Sequence, residues 1–233
     1  MRPHRTAAPA GGELTFAALN PLSAQRRAEA LFGREVASLQ PDAIEFRAPA
    51  DDAMAAALAQ TRCADLTVLG QPDGQNDRGF ARRIAEQMLL GSGGPVLFVP
   101  HATAVAIPGS NVLVAWDGGR EAARAVRDAL PWLATAQHVT VFTATDDQAP
   151  DAIKQSHARL GDWLAAHAIR AQFKRAVGSG GEAAERLLSQ ASEAGADLVV
   201  MGGYAHARAR EYVLGGATRT MLGAMTLPVL MSH

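Results

Sequence analysis

Cysteine is almost missing from this chain. Cys63 is the only one among 233 residues, which excludes an intrachain disulfide and a thiolate metal site. At the junction of a helix and a strand, it reads as a small apolar residue. Long apolar runs are missing too, and none approaches the ~20 residues of a membrane span. The N-terminal stretch "MRPHRTAAPAGGELTF" has early positive charge but no apolar core, which makes a poor secretory signal. An excess of one charge is also lacking. Twenty-two Lys and Arg stand against 23 Asp and Glu, for a net charge of -1. With the arginines scattered, no basic field is set up for nucleic acid. The expectation is a cytoplasmic globular protein with neither nucleic acid nor membrane as partner. Catalytic signatures are equally scarce: there is no Walker-type Lys-Ser/Thr, no His-Glu-x-x-His and no Gly-x-Ser-x-Gly.

What the chain does contain is a repeat. "CADLTVLGQ" (63–71) precedes "PVLFVP" (95–100), and "GADLVVMGG" (195–203) precedes "PVLMSH" (228–233). In each half Ala-Asp-Leu enters a short β-branched strand that stops at glycine. An irregular stretch and an amphipathic helix follow, and a proline opens a last strand, where its missing N–H is tolerated. Asp65 matches Asp197 and Gly70 matches Gly202, so two copies of one supersecondary unit are expected.

The second copy reads as βαβαβαβαβ. Strands fall at 111–117, 138–144, 170–176, up to Gly202, and 228–233. Helices fall at 119–134, 149–167, 181–195 and about 215–224. Such alternation requires a parallel sheet with helices on both faces, and the near-continuous apolar strands agree. The first copy is shorter. Strands at 13–19 and 43–48, and helices at 23–40 and 51–62, match the second and third βα units of the later copy. Nothing matches its opening strand and helix. Residues 101–111, with Pro108 and Gly109, read as a linker. The expected domains are 1–104 and 111–233.

A candidate site lies in the second copy. Ligands of open parallel sheets bind beyond the carboxyl ends of the strands, where strand order reverses. Gly202 ends one such strand. Gly215 and Gly216 open the next helix, whose free N–H groups and positive dipole end suit phosphate. Asp117 ends the first strand of the copy and can accept hydrogen bonds from ribose hydroxyls or a base amino group. Each feature also has a plain structural role: a turn glycine at Gly202, a helix-capping Asp117, solvated side chains at His206, Arg208 and Arg210, and a partnerless His233.

"VLVAWDG" (112–118) and "GADLVVMGGYAHARAREYVLGGATRTMLGAMTLPVLMSH" (195–233) together resemble the universal stress protein family. The resemblance covers about 110–233 and, more faintly, 13–100. It implies two tandem open parallel α/β sheets, Rossmann-like in the order 3-2-1-4-5, the first lacking its opening strand and helix. It also implies that the domains pair through their last strands, here "PVLFV" with "PVLMS". By the same resemblance ATP with Mg²⁺ is the expected ligand, with Asp117 and Thr143 at the adenosine and Gly202, Gly215, Gly216 and Ala217 at the phosphates. Ala115, Met201 and Ala205 complete the expected nucleotide site.

Nucleotide-binding members carry Gly, two residues, Gly, nine residues, then Gly with Ser or Thr. Gly202 and Gly215 keep this pattern, whereas Ala205 and Gly216 depart from it. A methyl at Ala205 costs ~1–2 kcal/mol in a left-handed backbone, and the hydroxyl missing at Gly216 removes ~0.5–1.5 kcal/mol. Together they weaken binding by roughly 10–100-fold. Arg208 or Arg210 offers compensating charge. In the first copy Arg82 and Arg83 stand where Gly215 and Gly216 stand in the second, and no Asp117 equivalent exists, so that copy reads as a structural partner. Three functions follow: a stress-response protein binding an adenine nucleotide, a scaffold of the same fold without nucleotide, and a slow ATPase using Asp117 without an evident general base. The missing opening unit leaves sheet surface that favours a homodimer.

Overall fold

The computed structural model describes residues 21–37, 53–72, 80–101, 108–145, 150–177, 180–204 and 216–233. Its first segments are α1 (Pro21–Val36), α2 (Ala53–Thr61), β1 (Thr67–Gly70), α3 (Phe80–Gly91) and β2 (Val96–Val99). Then come β3 (Asn111–Ala115), α4 (Arg120–Asp128), α5 (Leu130–Leu133), β4 (His138–Thr145), α6 (Pro150–Ala166) and β5 (Ala171–Val177). The chain continues through α7 (Gly180–Glu193), β6 (Leu198–Gly202), α8 (Gly216–Ala224) and β7 (Val229–Ser232). The expected strands at 13–19 and 43–48 lie outside the described residues.

Seven described strands form one sheet in the order β1-β2-β7-β6-β3-β4-β5. Numbered within the C-terminal half alone, β5-β4-β3-β6-β7 is the order 3-2-1-4-5. Every pairing in that half is parallel. β2 joins β7 antiparallel, with Leu97 opposite Leu230. Pro95 and Pro228 precede these two strands, and their carbonyls accept from Thr67 and Val199. A proline entering each strand therefore costs the ladder no bond.

Reversal of strand order sends the helices to opposite faces. Ala125 and Val126 of α4, Leu133 of α5 and Leu160 and Leu164 of α6 cover Val112, Val114, Leu198, Val200 and Leu230. On the other face, Leu187 and Ala191 of α7 and Met221 and Leu222 of α8 meet Leu113, Val199, Met201 and Met231. Ala85 and Leu89 of α3 join them there. β2, β3, β6 and β7 and the middle of β4 are buried on both sides, which is why they read as unbroken apolar runs, whereas the outer strands β1 and β5 alternate.

Two expectations need correction. The run 119–134 is two helices rather than one, because α4 stops at its cap Ala129 and α5 restarts with Pro131 in its first turn. Proline has no N–H for the ladder and its ring clashes with the carbonyl four residues back. Cys63 is exposed rather than packed.

Asp197, in the repeated Ala-Asp-Leu, has a definite task. Its carboxylate accepts the backbone N–H of Gly109 at 2.9 Å, of Ser110 at 2.9 Å and of Asn111 at 3.0 Å. Those groups begin β3, so the aspartate that enters β6 also fixes the start of its neighbour strand. Gly109 has φ 115°, and a Cβ there would lie 2.8 Å from Trp132 Cδ1. Both facts call for glycine at this turn.

Candidate functional site

The carboxyl ends of β3 and β6 form the crevice where strand order reverses. The ladder sets Val114 beside Val200, so Ala115 and Met201 stand one step further on, and Trp116 is level with Gly202. From here β3 leads to α4 on one face and β6 to α8 on the other. Asp117 is exposed, and its Oδ1 accepts the N–H of Gly119 at 2.7 Å. That contact turns the chain into α4, while a carboxylate has lone pairs for further donors. Gly118, at φ 77°, makes the turn possible.

Thr143 is buried and its hydroxyl is already committed. Oγ1 lies 2.6 Å from the Trp116 carbonyl and 2.8 Å from His157 Nε2. A carbonyl can only accept, so the hydroxyl donates to Trp116 and accepts from His157 Nε2–H. Trp116 Nε1 in turn donates to Ser156 Oγ at 2.8 Å. The His157 ring stands 5.0 Å from Phe173. Burial, and then the Arg175 charge, hold it below its ordinary 6.5. This network ties the ends of β3 and β4 to α6. Thr143 thus has a structural partner on each side.

Gly202 is required by packing. A Cβ on it would lie 2.6 Å from the Ala122 nitrogen and 2.8 Å from Glu121 Cβ, so the first turn of α4 rests on the bare end of β6. Glu121 is buried and paired with Arg120. Burial pushes its carboxyl up, but Arg120, its own backbone and His233 outweigh this and hold it below its ordinary 4.5. His233 Nδ1 donates to the Gly203 carbonyl at 3.0 Å, so it has a partner that sequence could not show.

Two further residues escaped the sequence reading. Tyr204 follows β6 with φ 60° and is 8% exposed. Burial, with Glu86 next, raises its phenol well above the usual range. Its backbone N–H donates to Thr218 Oγ1 at 3.1 Å. Gly216 and Ala217 open α8, with Gly216 exposed and Ala217 half-buried. Ala205, Gly215, His206, Arg208 and Arg210 lie outside the described residues. A cavity of about 310 Å³, lined by His138, Thr140, Arg170, Gln172 and Lys174 among others, opens at the opposite end of β4 and β5, away from Asp117.

This is a Rossmann-like α/β sheet with its crevice at the β3–β6 switch point. Residues 110–233 match the model of the universal stress protein family. The chain belongs to that family. A universal stress protein from Archaeoglobus fulgidus DSM 4304 superimposes with a TM-score of 0.70 at 16% identity, over 93% of this chain and 83% of its own. A functionally unknown protein from Pseudomonas aeruginosa PAO1 gives 0.60 at 16% identity, over 89% and 77%. A universal stress protein in complex with cAMP gives 0.44 at 24% identity, over 53% and 96%. No curated protein sequence matches significantly. Among the described residues, no helix is long and apolar enough to cross a membrane.

Proposed function

We propose that residues 111–233 form a nucleotide-binding domain that takes ATP with Mg²⁺ in the crevice between β3 and β6, and that residues 1–104 are a degenerate copy serving as its partner in the cytoplasm. The observation that carries the reading is the exposed Asp117 after β3 at the switch point, where the adjacent strand β6 leads on to an α8 that opens on Gly216. Ligands of such sheets bind there, and a helix that opens on glycine leaves its N–H groups accessible to phosphate. Asp117 would accept from the ribose, Ala115 and Met201 would border the adenosine, and Gly216 and Ala217 would meet phosphate through backbone N–H groups. Thr143 would border the adenosine from the end of β4, where its hydroxyl donates to the Trp116 carbonyl and accepts from His157, with one lone pair left over. Support for the tandem layout comes from β2 pairing with β7 and from a fold likeness that spans 93% of the chain.

The test is the melting midpoint with and without millimolar ATP and Mg²⁺. Ligand at 100 times its dissociation constant adds ~2.7 kcal/mol. A rise that Asp117→Ala removes supports the reading, and no rise overturns it. A second reading, a scaffold without nucleotide, is favoured by the closed Thr143 network together with the Ala205 and Gly216 departures. Stoichiometric ATP binding in calorimetry would exclude it.

A further inference from the structure

We infer that α3, which lies outside the family-matched stretch, is a positioning element for the C-terminal site: its Leu89, with Thr218, clamps Gly203 and Tyr204 where the chain leaves β6. The consequence for ligand affinity rests on the nucleotide reading above, whereas the clamp itself does not.

Gly203 is held on three sides. Its N–H donates to the Ser232 carbonyl at 2.8 Å, and its carbonyl accepts from His233 at 3.0 Å. On the third side stands Leu89, whose Cδ2 lies 2.5 Å from where a Cβ would be. Tyr204 then takes a left-handed backbone at φ 60°, which a bulky side chain adopts only when its surroundings impose it. Its N–H is fixed by Thr218, a bond that joins Tyr204 to the first turn of α8. Leu89 and Thr218 are 2% and 3% exposed, so both sit in the packed interior.

Leu89 is the part of the clamp supplied by the N-terminal half. In the first copy Arg82 and Arg83 replace the glycines of the phosphate pattern, yet the same helix contributes the side chain against Gly203. The first copy would thus have exchanged a ligand-contacting helix for one that supports the site of its neighbour.

Amide exchange in the full chain decides the matter, first without nucleotide. Leu89→Ala leaves every hydrogen-bonding group of the clamp in place. It should speed exchange at the Tyr204 amide about tenfold while the β3 amides keep their rates, and Leu89→Met should restore slow exchange. Unchanged exchange at Tyr204, or an equal rise in β3, overturns the clamp. Where Leu89→Ala does not fold, Leu89→Val makes the same comparison. ATP titration of the same variants follows. A several-fold loss of affinity that tracks the exchange rate supports positioning, and unchanged affinity beside faster exchange overturns it. Should the unaltered protein bind no ATP, the nucleotide reading fails, and the exchange result still decides the clamp.

Discussion

Val68 and Val200 occupy the same step of two matching strands, yet Val68 is 50% exposed and Val200 is fully buried. Val200 lies in a central strand between β3 and β7, under α4. Val68 lies in β1, which among the described strands pairs with β2 alone. Among the described residues, the strand of one repeat therefore has a cover that its counterpart does not. Val200→Thr buries a hydroxyl in an apolar layer and should cost ~1–3 kcal/mol. Val68→Thr should stay within about 0.5 kcal/mol. Urea denaturation of the two variants checks the contrast.

The repeated aspartates should behave as unequally. Asp197 satisfies three backbone donors at the start of β3, while Asp65 is exposed at the edge of the described sheet. Hydrogen bonds to a charged acceptor are worth ~1.5–3 kcal/mol, so Asp197→Ala should lower stability by about that amount. Asp65→Ala should change it by less than about 0.5 kcal/mol. Equal losses would mean that the repeat has a role in both halves unrelated to β3.

Three glycines form a graded series. A methyl at Gly202 meets backbone atoms of α4 at 2.6 and 2.7 Å, and a helix start cannot yield as a side chain can. Gly203→Ala meets the end of the Leu89 side chain, and Gly70→Ala meets nothing within 4 Å. The loss should be largest for Gly202→Ala, at ~3 kcal/mol or more, smaller for Gly203→Ala and near zero for Gly70→Ala. Thermal midpoints would rank them, and any other order contradicts the packing described.

His157 should make stability depend on pH. Burial and Arg175 lower its native value below the ordinary 6.5. The unfolded chain therefore takes up a proton first as pH falls. The contribution is fully present above about 6.5 and is lost progressively below it, until native His157 is protonated too. Denaturation midpoints at a series of pH values from 7.5 downward should show this loss, and His157→Gln should flatten it. A profile identical in the two proteins would assign the dependence to other groups.

Much of the C-terminal half is legible in its sequence. The strands at 111–115 and 138–145 are apolar because both faces are covered, and α6 and α7 show their periodicity plainly. What sequence missed depends on distant partners. The hydroxyl of Thr143 looks available until His157 and the Trp116 carbonyl are beside it. Tyr204 looks like a loop residue until Thr218 is beside it, and no local pattern announces a left-handed tyrosine. Gly202 reads as a turn or ligand glycine in sequence, and the first turn of α4 packed on it is a further demand for glycine that no local pattern shows.

β7 is last in chain order but third in the sheet. The antiparallel seam with β2 cannot form until β7 has been made. Through that interval β2 has an unsatisfied edge, and Phe98, fully buried at the end, waits for Val229 opposite it. Pairing across such a separation is slow and open to wrong partners. Until translation reaches β7, the edge of β2 is open to wrong partners.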